Sequence, residues 1–322
     1  MFVFRLAHVS DLHLCQRPAC TWSQLANKRL LGYLSWQLRR RRSHLSAVLD
    51  ALVRDLHAIH PDHVAITGDL VNLALPSEFA EAGAWLRRLG PPEWISLVPG
   101  NHDALVAVRP GDGWDHWRAY TTSDADVPNA NGGDFPFLRR RGPLAIVGLP
   151  TAFPSPPGFA TGRLGAAQLA RLDGLLERLR EERRCRVLLT HHSPTDGLSR
   201  PRKRLIDAAE LRQCIARRGA DLILHGHEHA FSFGQIAGRE APVPVFGTPP
   251  ASRMSPRPEL TAQYHVYEIE SRAEQRRILA ESRIYSPASE SFVQGARRVV
   301  AQQEGALVLR PEPDTATCRK SA

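Results

Sequence analysis

The chain lacks most of what would hold a small secreted or membrane-spanning fold together. Its five cysteines (Cys15, Cys20, Cys185, Cys214, Cys318) are odd in number and none is spaced as C-x-x-C. That argues against a disulfide framework or zinc knuckle and favours a reducing compartment. No apolar run approaches the ~18 residues that a bilayer span needs. The apolar stretch from Phe2 to Val9 runs straight into Asp11 and leaves no cleavage site, so a cytoplasmic location is expected rather than secretion. Aromatic residues are only 7% of the chain, and few lie near its basic runs, so no dedicated nucleic-acid groove is expected. No internal repeat is found.

What is present is ordinary globular composition with a basic bias. The 322 residues are 43% hydrophobic and 23% charged, enough for one or two domains with a sizeable core. The formal net charge of +9 attracts anions such as nucleic acid, acidic lipid headgroups or phosphorylated metabolites. Solvated surface arginine explains the same number, so charge alone does not select a partner.

Short apolar, β-branched runs read as strands at 3–9, 63–67, 94–98, 187–190 and 221–224. Helical patterns lie between them at 46–59, 77–89, 166–182 and 207–218. Alternating strands and helices predict an α/β layered fold. The turn-rich stretch 120–136 is expected as a loop near a site mouth. After residue 230 strand patterns dominate, at 243–247, 264–269 and 277–285, and are expected to form a second sheet packed on the first. The end from about Gln302 is expected to be flexible.

Five short polar blocks each follow one of the first-sheet strand patterns: Asp11-Leu12-His13, Gly68-Asp69, Gly100-Asn101-His102-Asp103, His191-His192 and Gly226-His227-Glu228-His229. Strand carboxyl ends are where α/β sheets gather ligands. Asp11 and His13 can turn toward one ion, and a mixed carboxylate–imidazole set suits manganese, iron or zinc better than magnesium or calcium. Asp69 can bridge two cations. Asn101 offers an amide oxygen, and His227 and His229 lie on one side of an extended segment. His191 or His192 completes a second set, with His191 favoured because it stands directly at the strand end. His102 can face a substrate phosphate and assist a leaving group, with Asp103 fixing its tautomer.

In this order the blocks resemble the signature of the calcineurin-like metallophosphoesterase superfamily: D-x-H, G-D, G-N-H-[DE], H and G-H-x-H. The resemblance covers about residues 3 to 270, and every signature position is filled. It implies an α/β fold, a two-sheet β-sandwich flanked by helices in four αββα layers. The implied division is a catalytic domain over 1–285 and a C-terminal extension over 286–322. It also implies two divalent ions, manganese or iron with zinc as the alternative. One would be held by Asp11, His13, Asp69 and His229, the other by Asp69, Asn101, His191 and His227, with His102 and Asp103 as catalytic residues. A metal-bound water or hydroxide would then attack phosphorus. The motif sequences look most like small bacterial phosphodiesterases, including cyclic-AMP phosphodiesterases and phospholipase C-like enzymes. A nuclease and a non-catalytic binding scaffold are the alternatives on the same fold.

One departure stands out. Between Asp11 and Asp69 lie 57 residues, more than one helix needs. The surplus, about 20–42, carries Trp22, Leu25, Leu30, Leu31, Tyr33, Leu34, Trp36 and Leu38 beside Lys28, Arg29 and Arg39 to Arg42. As a helix it would be amphipathic and basic, suited through 21–42 to an anionic membrane surface at the inner face of the membrane. The competing uses are a helix packed on the body and a homodimer face. The arginine groups 139–141 and 200–204 have the same ambiguity between a substrate phosphate and a solvated loop.

Overall fold

The computed structural model describes residues 3–14, 20–38, 43–109, 111–127, 135–271, 276–303 and 305–312. The chain begins with β1 (Val3–Val9), the short helix α1 (Trp22–Leu25), α2 (Arg29–Leu38), α3 (Ser46–Ile59), β2 (His63–Ile66), α4 (Pro76–Leu89) and β3 (Ile95–Leu97). It continues with β4 (Phe137–Arg141), β5 (Leu144–Gly148), α5 (Ala166–Leu179), β6 (Cys185–Leu189), α6 (Ala208–Arg218), β7 (Leu222–His225), β8 (Ser232–Ile236) and β9 (Val243–Gly247). The last strands are β10 (Gln263–Ser271), β11 (Arg276–Ser286), β12 (Ser291–Gln303) and β13 (Ala306–Pro311).

These strands form two sheets, ordered β13-β12-β11-β10-β1-β2-β3 and β4-β5-β6-β7-β9-β8. Alternating side chains of both meet in a shared core that includes Phe4, Leu6, Phe137, Ile146, Val187, Leu224, Phe246 and Tyr267. The outer face of the first sheet is covered by α3 and α4. The stripe Val48, Leu49, Leu52, Leu56 on α3 has the i, i+1, i+4, i+8 spacing of one helix face. The outer face of the second sheet is covered by α5 and α6 through Leu172, Leu176, Leu211 and Ile215. The architecture is therefore α/β, a β-sandwich between helical layers.

Three sequence expectations need correction. The strands after residue 230 do not make the second sheet by themselves. Only β8 and β9 join it, while β10 pairs antiparallel with β1 and carries β11–β13 as an extension of the first sheet. The first part of the stretch expected to be flexible is the end of β12 and the strand β13, which pair with each other; residues 313–322 lie outside the described residues. Nor does the described part of the 120–136 loop border the strand carboxyl ends. Asp124 accepts from the Arg140 amide and from Arg141, and Arg139 donates to Pro92 and to Ile95 at the start of β3. Arg139 is buried in this work and Arg140 pairs with Glu182, so 139–141 ties elements together rather than forming a solvated loop or reaching toward substrate.

Candidate metal centre

In the first sheet β1, β2 and β3 run parallel, as do β6 and β7 in the second. Their carboxyl ends therefore meet along one edge of the sandwich. Asp11 and His13 follow β1, Asp69 follows β2, Asn101 and His102 follow β3, His191 follows β6, and His227 and His229 follow β7. Five of these residues, Asp11, His13, Asp69, His227 and His229, have positive φ of 46 to 69°. Non-glycine residues rarely take this left-handed conformation, and clusters of it mark functional sites. Gly68, at φ 95°, lets the chain before Asp69 pass Gly100 closely: a Cβ there would lie 2.5 Å from the Gly100 nitrogen and 2.8 Å from His191 Nδ1.

Two donor groups result. Asp11, His13, Asp69 and His229 present ligand atoms within 4.8 Å of one another. His229 Nε2 lies 3.1 Å from Asp11 Oδ1. Burial alone would raise Asp11, but the His229 ring beside it prevails and holds this carboxyl well below its usual range. The second group gathers His191, His192 and His227. Asn101 Oδ1 is 3.1 Å and Asp69 Oδ1 3.5 Å from His191 Nε2, so Asp69 reaches both groups.

The two adjacent histidines differ in their hydrogen bonds. His191 Nδ1 donates to the Thr67 carbonyl at 2.6 Å, which leaves Nε2 facing the oxygens of Asn101 and Asp69. His192 is tied at both nitrogens, to Thr151 Oγ1 at 2.7 Å and to the Ala160 carbonyl at 3.1 Å. His227 Nε2 is buried without a hydrogen-bond partner. Burial, reinforced by the nearby histidines, holds His227 far below the ordinary imidazole value. Its neutral ring is the form a cation requires. Carboxylate, amide and imidazole donors converging around a buried, unpartnered His227 Nε2 fit divalent cations.

The role expected of Asp103 needs correction. Its carboxylate accepts the amides of Asp69 and Gly100 on Oδ2, at 2.9 and 2.8 Å, and that of Val71 on Oδ1 at 3.0 Å. Burial and the Asp69 charge raise it to about 7, while the Gly100 and Val71 amides and the nearby His191 pull the other way. His102 is oriented instead by the Asn72 carbonyl, which accepts from Nδ1 at 2.7 Å.

Several contributors escaped the sequence reading. His44 stacks edge-on against His13, with ring centroids 4.7 Å apart, and comes from an arginine-rich stretch with no motif. Buried Glu78 accepts the amides of Asn72, Leu73 and Leu75, fixing the loop that follows Asp69. It stands three residues after Leu75 at the start of α4, the position from which a capping-box glutamate reaches back, but with leucine rather than serine or threonine at the N-cap the sequence carries no such signature.

The model of the calcineurin-like phosphoesterase family matches residues 4–231, which contain every block described. The chain belongs to the calcineurin-like phosphoesterase family. No curated protein matches the sequence. Among solved structures, a dimetal phosphatase from Danio rerio is 11% identical, with a TM-score of 0.57 over 91% of this chain and 98% of that one. Vacuolar protein sorting 29 from Cryptosporidium parvum is also 11% identical, with a TM-score of 0.41 over 94% and 100%. The first shows a shared fold; the second is too distant to bear on function. Among the described residues no helix is long and apolar enough to cross a membrane.

Proposed function

We propose that this phosphoesterase-family chain is a dinuclear metal-dependent phosphodiesterase. The observation that carries the reading is the convergence of two donor groups at the strand ends, one of Asp11, His13, Asp69 and His229 and one containing His191 and His227, with His227 Nε2 buried and without a hydrogen-bond partner. Asp11, His13, Asp69 and His229 would hold one ion, and Asp69, Asn101, His191 and His227 the other. His192 is left out because both its nitrogens are engaged. The donor set of imidazoles and carboxylates suits manganese or iron, with zinc as the alternative. When bound, such ions polarise phosphoryl oxygens and make water a competent nucleophile near neutral pH.

The protein's own part is orientation and proton transfer. Water oxygen bonds to phosphorus, the bond from phosphorus to the departing alkoxide breaks, and that oxygen takes a proton, leaving a monoester and an alcohol. With Nδ1 of His102 committed to Asn72, any proton His102 supplies passes through Nε2. Asp103 holds the backbone of Asp69 and Gly100, so it is a positioning residue. The likeness of the motif sequences to bacterial phosphodiesterases supports a diester over a monoester.

The test is hydrolysis of bis-p-nitrophenyl phosphate, cyclic nucleotides and glycerophosphodiesters by protein reloaded with manganese. Asn101→Ala is expected to lose at least about a hundredfold in rate. Full metal-dependent activity in that variant would overturn the assignment, and no bound ion in the reloaded wild-type chain would favour a non-catalytic scaffold.

A further inference from the structure

Helix α2 is built inside out. Its inward side carries Arg29, Gly32, Tyr33 and Trp36. Arg29 donates to the carbonyls of Leu73 and Ala74 at 2.9 and 2.7 Å. Gly32 lies so close to the side chains of Leu73 and Leu105 that a Cβ would meet them at 2.9 and 3.1 Å, and Trp36 is buried. The outward side carries Leu30, Leu31, Leu34 and Leu38, which are 42, 52, 49 and 77% exposed, and Trp22 on α1 is 84% exposed. A continuous stripe of exposed leucine on one helix face marks a contact surface rather than random surface composition.

A second rim faces solvent in the same way. Phe159, Leu198 and Ile206 are exposed, and between the last two lie Arg200, Arg202, Lys203 and Arg204, also exposed. Among the described residues none of these four cations pairs with a carboxylate. The rims are joined, because Lys28, between α1 and α2, donates to the Ser155 and Phe159 carbonyls at 2.9 and 3.0 Å. Both also border the metal centre. The α2 rim is fastened to Leu73, four residues beyond Asp69. The basic rim bonds through the Arg202 carbonyl to Ala160, whose own carbonyl holds His192, and Ser199 donates to Glu228 between His227 and His229.

We propose that these two rims dock the chain on an anionic lipid bilayer, so that the metal centre acts on a phosphodiester carried by a lipid. The inference rests on the phosphodiesterase reading for its substrate, but not for its docking surface. Leucines matched with unpaired cations fit acyl chains beneath negative headgroups. A nucleic acid would leave the leucines unused. A second copy would pair the patch with itself and bring the two cationic loops together.

The test is sedimentation of the full, manganese-loaded chain with vesicles of phosphatidylglycerol or of phosphatidylcholine, with a soluble diester assayed in parallel. Wild type is expected to bind phosphatidylglycerol vesicles, to lose most of that binding in about 0.5 M salt, and to bind phosphatidylcholine poorly. The double variant Leu31→Glu/Leu34→Glu is expected to lose about tenfold or more in vesicle affinity while keeping its soluble-diester rate. Wild-type protein that ignores both vesicles, or a variant that binds as well as wild type, overturns the docking surface. A wild-type dimer that the variant dissociates, without vesicle binding, assigns the leucines to a second copy and also overturns it. Vesicle binding as expected without hydrolysis of any diester keeps the docking surface and removes the lipid diester as substrate.

Discussion

Asp103 grips Asp69 by its backbone: Oδ2 accepts the Asp69 amide at 2.9 Å while also accepting that of Gly100 at 2.8 Å. One buried carboxylate thereby links the loop after β2 to the loop after β3. It also holds Asp69 at a φ of 56°, a conformation that costs on the order of 1–3 kcal/mol when nothing enforces it. Asp69 reaches both donor groups, so its position governs the whole centre.

The first prediction follows from that grip. Asp103→Asn replaces one acceptor oxygen by an NH2 that must face backbone N–H groups, leaving at least one buried amide unsatisfied, at roughly 1–3 kcal/mol. A lower thermal midpoint is expected, together with about a 10- to 100-fold loss of metal affinity or turnover, as for other groups that support ligands. Metal titration and thermal melts of the variant check this. Unchanged metal affinity would mean that the loops hold their shape without the carboxylate.

Asp69 and His227 should differ in how much metal they release. Asp69 lies among the first donor group and 3.5 Å from His191 in the second, whereas His227 belongs to the second alone. Asp69→Asn is therefore expected to depress occupancy at both positions, and His227→Ala at one. Elemental analysis of protein reloaded with manganese gives the ratio directly. Equal loss in the two variants would contradict a shared Asp69.

Much of this site was legible in the sequence because its ligands sit at strand ends, where short apolar runs stop at Gly or Asp. The blocks at Asp11, Asp69, Asn101, His191 and His227 could be placed before any coordinates. What was not legible depended on long-range hydrogen bonding. Asp103 follows His102 directly and invites pairing with it, yet its oxygens turn to three backbone amides and leave His102 to Asn72. The strand patterns of β10–β13 were readable, but their sheet membership was not, since the same alternation fits an edge of either sheet. The segment 20–42 read as one basic amphipathic helix. The structure breaks it into α1 and α2 and spends Lys28 and Arg29 on carbonyls, while Arg39 to Arg42 lie outside the described residues.

Buried histidines away from the ligands should make stability fall in mild acid. Burial, then the nearby Arg298 charge, lowers His265 to about 3; burial, then Arg141 and Arg139, puts His63 well below its ordinary value. An unfolded imidazole takes its proton near pH 6.5. Below that pH the unfolded chain binds protons that the folded chain refuses, so stability declines as pH falls from about 6.5 toward the folded values, and neither residue contributes above it. At pH 5 His265 is expected to cost about 2 kcal/mol, with His63 acting in the same direction. Urea midpoints of the metal-free chain at pH 7.5 and 5 measure the decline, and His265→Gln should flatten it. An equal slope in that variant would assign the acid sensitivity elsewhere.

The C-terminal strands should depend on one ion pair for their attachment to the helical layer. Arg283 on β11 meets Asp55 on α3 with Nη2 2.5 Å from Oδ1, and both side chains are nearly buried. The Tyr264 hydroxyl on β10 donates to the same carboxylate, so two neighbouring strands converge on one helix residue. Removing one partner of such a pair leaves a buried charge without compensation, at about 3–5 kcal/mol. Arg283→Ala leaves Asp55 with only the Tyr264 hydroxyl, and Asp55→Ala leaves Arg283 with only the more distant carboxylate of Glu281, at 3.7 Å, and strands the tyrosine hydroxyl. Replacing both, as Asp55→Leu with Arg283→Met, removes both charges together and is expected to recover most of the loss. Thermal midpoints of the two single variants and the double variant decide the matter. A double variant as unstable as the sum of the singles would show that the two residues act through separate contacts rather than through each other.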